Sequence, residues 1–120
     1  METVFVCSAC QVTLTHPVVL LADPTLESKE IGTARVPRGS YLLENWGGPR
    51  LDWYVLNLED AVHTKHHSDN DRFTGCCGPQ GLDENNTVCI NGHEVGSECS
   101  DCITTQFLWL DPKFVTLKIT

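Results

Sequence analysis

The number and spacing of its cysteines constrain this chain more than any other feature of the sequence. Seven cysteines occur in 120 residues, and an odd number cannot close a complete set of disulfides. No leader with a basic start and an apolar stretch opens the chain, so we expect a cytoplasmic, reducing setting in which disulfides do not persist. Cysteines that recur in pairs there more often bind a metal or carry redox chemistry. The cysteines are Cys7, Cys10, Cys76, Cys77, Cys89, Cys99 and Cys102.

Two Cys-x-x-Cys pairs stand near opposite ends of the chain and predict a zinc site. Such a turn brings two sulfurs within reach of one ion, at bond lengths of about 2.3 Å. Two turns that face each other would complete a tetrahedral shell of four thiolates, which leaves no open position and is therefore structural. Zinc binding contributes about 10–16 kcal/mol in zinc-finger peptides, which suits a small domain with many loops. The predicted Zn²⁺ ligands are Cys7, Cys10, Cys99 and Cys102.

Three further cysteines are reserve ligands and leave other ligand sets open. Adjacent cysteines rarely bind one ion together, so Cys76 and Cys77 are expected to point in different directions. The segment that starts at Cys89 has the outline of a zinc knuckle whose second cysteine is missing. The alternative site therefore combines Cys7, Cys10, one of Cys76 and Cys77, and one of Cys89 and Cys102. Two ions would need the seven cysteines and a histidine.

Other polar residues are weaker candidates. His93 follows Cys89 closely and is the best available nitrogen ligand, although a surface histidine is the more frequent outcome. The polar run 63–71 contains three histidines and is predicted to be a mobile, solvated loop. Five acidic residues near the cysteines have no spacing that fixes acid–base geometry, and they are expected to solvate the surface. The histidines are His63, His66 and His67, and the acids are Asp83, Glu84, Glu94, Glu98 and Asp101.

Short apolar or alternating runs separated by turn residues predict a mainly β, loop-rich single domain over residues 1–120. One helical turn is expected over 58–62, and no pattern sustains a long helix. The predicted zinc–cysteine site makes a β-tent or zinc-ribbon-like fold the expectation. Strands are predicted around 4–6, 12–14, 18–21, 41–43, 51–58, 88–90, 94–96, 107–110 and 114–119.

Two resemblances accompany this cysteine pattern. The segments 75–83, 94–98 and 100–102, with Cys89 and the Cys7–Cys10 turn, resemble a GCCGPxGxD…C…EVGxE…SDC block of small uncharacterised bacterial cysteine-rich proteins. That resemblance implies a bacterial source and no particular activity. Position 99 of the pattern is not usually cysteine, which gives Cys99 less weight than Cys102. The separated cysteine pairs more distantly resemble the β-tent zinc domains of the Yippee, cereblon-type and methionine sulfoxide reductase B groups.

Charge narrows the classes of function. Sixteen acidic residues against eight basic ones give a net charge of −8, which argues against nucleic-acid binding. The longest apolar run, 17–22, is too short to span a membrane. The sequence predicts a non-enzymatic, zinc-stabilised module that acts through contact with a basic protein partner, an immunity or antitoxin-like role being one version. The alternatives are a thiol oxidoreductase that uses Cys89 or Cys77 and a metal-trafficking protein. No catalytic residue is assigned, and the oligomeric state is left open.

Overall fold

The computed structural model describes residues 2–46, 48–82 and 84–120, and these residues form a mainly β domain with short 3₁₀ turns. The prediction of a small, mainly β fold is confirmed. Asp83, one of the predicted surface acids, lies outside the described residues. The strands are β1 Thr3–Cys7, β2 Val19–Leu20, β3 Ser40–Leu43, β4 Tyr54–Leu56, β5 Thr64–His66, β6 Thr87–Cys89, β7 Glu94–Cys99, β8 Phe107–Leu110 and β9 Val115–Ile119. The 3₁₀ turns are Pro24–Leu26, Leu58–Asp60 and Asn70–Arg72.

The strands form two sheets. Seven of them pair in the order β2-β3-β4-β8-β7-β6-β5, with β2 and β3 parallel and the other pairs antiparallel. The first and last strands, β1 and β9, form a separate antiparallel pair in which Cys7 lies opposite Val115. None of the helices in the described part of the chain is long and apolar enough to cross a membrane.

The larger sheet buries apolar side chains on both of its faces. Along β8, Leu108 and Leu110 join a first core cluster, while Phe107 and Trp109 join a second. This alternation follows from the two-residue period of a strand. The first cluster also contains Cys7 and seven residues contributed by other strands and loops, and it fills the space between the two sheets. Those residues include Phe5, Leu14, Val18, Leu56, Cys89, Val95 and Val115.

A β-bulge in β7 changes which face its residues cover. Thr87 pairs with Gly96 and the next residue, Val88, pairs with Glu94, so Val95 is an extra residue in β7. The shift turns Val95 into the first cluster, whereas Cys99, farther along the same strand, lies in the second.

Several predicted local elements differ from the structure. Residues 12–14 make only an isolated bridge, through Thr13, and the run 18–21 is reduced to the two residues of β2. That strand was expected to be buried, but Leu20 is 55% exposed because β2 pairs only with β3, at the sheet edge. The run 63–71 was predicted as a mobile loop, and this is wrong: it contains β5, which pairs with β6, and a 3₁₀ turn.

Candidate metal centre

The first cysteine pair sits in a tight turn that leaves the end of β1. The amide of Cys7 donates to the carbonyl of Val12 at 2.9 Å, and the amide of Gln11 donates back to the carbonyl of Cys7 at 2.7 Å. Gln11 has a φ of 65°, which lets the chain reverse immediately after Cys10. These two hydrogen bonds hold both sulfurs of the pair on the side of the turn that faces the larger sheet.

A second tight turn connects β6 to β7 and supplies two more ligand atoms. The amide of Cys89 donates to the carbonyl of His93, and the amide of Gly92 donates to the carbonyl of Cys89, each at 2.8 Å. Gly92 has a φ of 89°, a conformation that residues with a Cβ rarely adopt. This turn places His93 four residues after Cys89 on the same side of the hairpin.

The two turns meet, and four potential ligand atoms converge between them. The atoms from Cys7, Cys10, Cys89 and His93 all lie within 4.8 Å of one another. The sulfurs of Cys10 and Cys89 are 3.8 Å apart, and the Cys89 sulfur is 3.4 Å from His93 Nδ1. A tetrahedral ion with bonds of about 2.3 Å to sulfur and about 2.0–2.1 Å to nitrogen would separate these atoms by about 3.8 Å and about 3.5 Å. We call this group the inner centre, and its donor set fits a four-coordinate metal ion.

The environments of the inner-centre cysteines differ. Cys7 and Cys89 are buried in the first core cluster, whereas Cys10 is partly exposed and His93 is exposed. A hydrogen bond from the side-chain amide of Asn91 to Cys10 Sγ, at 3.3 Å, is the main reason that the pKa of Cys10 falls to about 6. Burial raises the pKa of the Cys7 thiol. The side of the centre nearer to solvent therefore favours a thiolate.

A second group of thiols lies elsewhere on the surface. The sulfurs of Cys76, Cys77 and Cys102 also lie within 4.8 Å of one another, and all three residues are exposed. We call this group the outer triad. A hydrogen bond with Cys77 is the largest of the contributions that raise the pKa of Cys102 to about 12. The described residues thus form two separate groups that could hold a metal ion.

The predicted four-thiolate site is not the one that the structure assembles. The Cys7–Cys10 turn faces the β6–β7 hairpin, and Cys102 belongs to the outer triad, so the two Cys-x-x-Cys pairs do not meet. Cys99 lies in neither group: it is 3% exposed, packs in the second core cluster and has its sulfur 3.4 Å from Thr104 Oγ1. It ends β7, and its side chain therefore points into the sheet's core face rather than toward Cys102.

Two further predictions about individual residues need correction. Cys76 and Cys77 were expected to point apart, but their sulfurs converge on that of Cys102. Asp101 was expected to solvate the surface, but it is 1% exposed, because its carboxylate binds backbone amides of the cysteine loops.

Histidines contribute to the inner centre only through His93. Of the two possibilities weighed for that residue, ligand or surface histidine, the structure places it beside Cys89. The other candidates make different contacts: His63 Nδ1 lies 2.8 Å from the carbonyl of Thr13, and His66 Nε2 lies 3.1 Å from Glu98. Neither belongs to a group of convergent ligands among the described residues. The sequence feature that could indicate this ligand pair is Cys89 and His93 on either side of a turn that contains Gly92.

An open depression of about 530 Å³ borders the inner centre. Cys7 and His93 line it together with Lys113 and Phe114. The depression therefore brings solvent, or a bound group, next to the exposed imidazole.

Comparison with known proteins adds no assignment, since no protein-family model, curated protein or solved structure matches the chain. The likeness to small bacterial cysteine-rich proteins and to β-tent domains stays a prediction from the cysteine pattern. The site therefore has to be interpreted from its own geometry.

Proposed function

We propose that this chain is a non-enzymatic, zinc-stabilised β module that acts through protein–protein contact. The ion is Zn²⁺, held by Cys7, Cys10, Cys89 and His93. The observation that carries the proposal is the convergence of three sulfurs and one imidazole nitrogen, with two separations close to the edges of a zinc tetrahedron.

The position of the inner centre supports a structural role for the ion. Cys7 belongs to the two-stranded sheet and Cys89 to the seven-stranded sheet, so one ion would cross-link the two. Four protein ligands fill the tetrahedral shell, which leaves no position for a substrate or an activated water. The three sulfurs and one nitrogen match the ligand sets of structural zinc sites.

Contact with another protein is supported by the charge and by the open depression. A net charge of −8 favours encounter with a basic surface, and the depression offers Phe114 and Lys113 beside the metal ligands. Glu30 is an exposed acid available for such an encounter, whereas Glu27 is already engaged by Arg35 at 2.7 Å. The association rate with a basic partner should therefore fall as salt rises, and a rate independent of salt would remove this part of the proposal.

The thiol-oxidoreductase alternative depends on an accessible reactive cysteine. Cys89, one of its two candidate nucleophiles, is fully buried and is surrounded by the other inner-centre ligands. The rate at which Cys89 is alkylated in the folded, zinc-loaded protein distinguishes the two functions. If the protein is the zinc-stabilised module, Cys89 should be protected. Rapid modification of Cys89 with zinc retained would favour the enzyme.

Native mass spectrometry of the untagged protein and four single variants tests the ligand set. Wild type should carry one tightly held zinc ion, Cys10→Ser and His93→Ala should lose or weaken it, and His93→Cys should retain it as a fourth thiolate. Cys99→Ala is the matched control, because it removes a thiol outside the inner centre. Zinc binding that survives Cys10→Ser but is lost in Cys99→Ala would refute the proposed ligands.

A further inference from the structure

The outer triad has no role in the zinc-stabilised module, and its geometry points to a second ligand. Its three sulfurs converge at the surface, and no histidine or carboxylate of the described residues lies within 4.8 Å of all three, although the Asp101 carboxylate contacts the Cys102 thiol. We infer that Cys76, Cys77 and Cys102 form a three-coordinate thiolate site for the soft monovalent ion Cu(I). The bound ion can be exchanged with other thiol ligands in solution. This inference goes beyond the structural zinc and does not require it.

A single buried carboxylate fixes the backbone of all three cysteines. Asp101 accepts hydrogen bonds from the amides of Cys76 at 3.3 Å, Cys77 at 3.0 Å and Cys102 at 2.7 Å. Because Asp101 is 1% exposed, water does not compete effectively for these bonds. The two cysteine-bearing loops are thus held together by one side chain, as expected of a residue that positions metal ligands.

Close packing of the loop backbones fixes the triad further. A Cβ on Gly75 would overlap the carbonyl of Gly78, and a Cβ on Gly78 would lie 2.9 Å from the carbonyl of Ser100. The carbonyl of Gly81, at the end of the same loop, accepts from Arg50 at 3.0 Å and from Ser97 at 2.9 Å. The loop is therefore packed against Ser100 at Gly78 and hydrogen-bonded to β7 at Gly81, after the two cysteines.

The donor set and its exposure select the ion. Thiolates are soft ligands that favour Cu(I), and three of them satisfy its preferred low coordination number. Zinc would need a fourth ligand, but no further group of the described residues lies within 4.8 Å of all three sulfurs, and the nearby Asp101 carboxylate is engaged by three backbone amides. The carboxylate of Asp101 makes the surroundings of the triad negative, which favours a cation over an anionic ligand. All three cysteines are exposed, so another thiol can reach a bound ion and remove it.

The test is anaerobic transfer of Cu(I) from its bathocuproine disulfonate complex to the zinc-loaded protein. Wild type should take up one equivalent of Cu(I), measured by loss of the complex's colour, and keep its zinc in the native mass spectrum. Cys76→Ser and Cys102→Ser should take up none at the same competitor concentration, and Cys99→Ala should behave as wild type. Asp101→Asn should weaken the uptake by roughly 10–100-fold, the usual effect of losing a residue that orients metal ligands.

Alkylation mapping makes the result independent of the zinc proposal. In the folded protein as purified, Cu(I) should protect Cys76, Cys77 and Cys102 from modification and leave the reactivity of Cys7, Cys10 and Cys89 unchanged, whichever metal the inner centre holds. No uptake by wild type, undiminished uptake by Cys102→Ser, or uptake with release of zinc and protection of the inner centre would each overturn the inference. Because the triad is exposed, its serine variants are expected to fold, and their circular dichroism spectra verify this.

Discussion

At the scale of single residues, the cysteines could be predicted as metal ligands, but which of them come together in one group could not. Spacing along the chain predicts the Cys7–Cys10 pair, which is local, and in the structure the two sulfurs lie within 4.8 Å of each other. It could not show that Cys99 turns into a core while its neighbour Cys102 stays at the surface, since that depends on where β7 ends. Asp101 was equally hidden, because its burial comes from amides about 25 residues earlier in the chain.

Asp101 gives a prediction at this scale. Asp101→Asn replaces a carboxylate that accepts three backbone hydrogen bonds by an amide with a single acceptor oxygen. We expect a loss of about 1–3 kcal/mol in the free energy of unfolding, the cost of leaving buried amides unpaired. Urea denaturation measures it, with Glu30→Gln as a control that removes an exposed carboxylate. Equal stability of the two variants would show that Asp101 does not hold the cysteine loops.

At the scale of elements, two reversals of the chain build the inner centre. The strands on either side of the second reversal, β6 and β7, were predicted from their apolar residues and the intervening turn, and both exist. The bulge at Val95 and the pairing of β1 with β9 were not predictable, because each requires contacts between segments distant in sequence. The contact between the Cys7–Cys10 turn and the β6–β7 turn could not be predicted either, for the same reason.

Two glycines of the β6–β7 hairpin should respond differently to substitution. Gly92→Ala meets no atom within 4 Å but keeps a φ of 89°, so it should cost about 1–2 kcal/mol of stability from backbone strain alone. Gly96→Ala should cost more, because its Cβ would overlap the carbonyl oxygen of Trp109 and separate β7 from β8. Chemical denaturation of the zinc-loaded variants compares them. A greater loss for Gly92→Ala would contradict this description of the hairpin.

At the scale of the whole molecule, the proposed zinc ion links the two sheets. Among the described strands none of one sheet pairs with one of the other, so the first core cluster, the bridge between Thr3 and Val18 and the inner centre hold the two sheets together. The cysteine spacing predicts a zinc-stabilised β domain, but it leaves His93 as no more than the best available nitrogen ligand, because the meeting of the two turns cannot be seen in the sequence.

Removal of zinc should therefore unfold or loosen the domain. A contribution of about 10–16 kcal/mol from structural zinc is comparable to the total stability of a small domain, about 5–15 kcal/mol. Calorimetry with and without a strong chelator should show the cooperative transition lost or moved to much lower temperature. The triple variant Cys76→Ser, Cys77→Ser, Cys102→Ser should behave in the same way, because it keeps the inner centre. Unchanged melting after verified zinc removal would exclude a structural role for the ion.

The most direct test of the central claim is zinc-edge X-ray absorption spectroscopy of that triple variant. With the outer triad removed, the scattering shell should contain three sulfurs at about 2.3 Å and one nitrogen at about 2.0–2.1 Å from the zinc. Adding His93→Ala should weaken zinc binding and remove the nitrogen scattering of the imidazole from the zinc that stays bound. A shell of four sulfurs, or a protein without bound zinc, would contradict the assignment of Cys7, Cys10, Cys89 and His93 as the ligands.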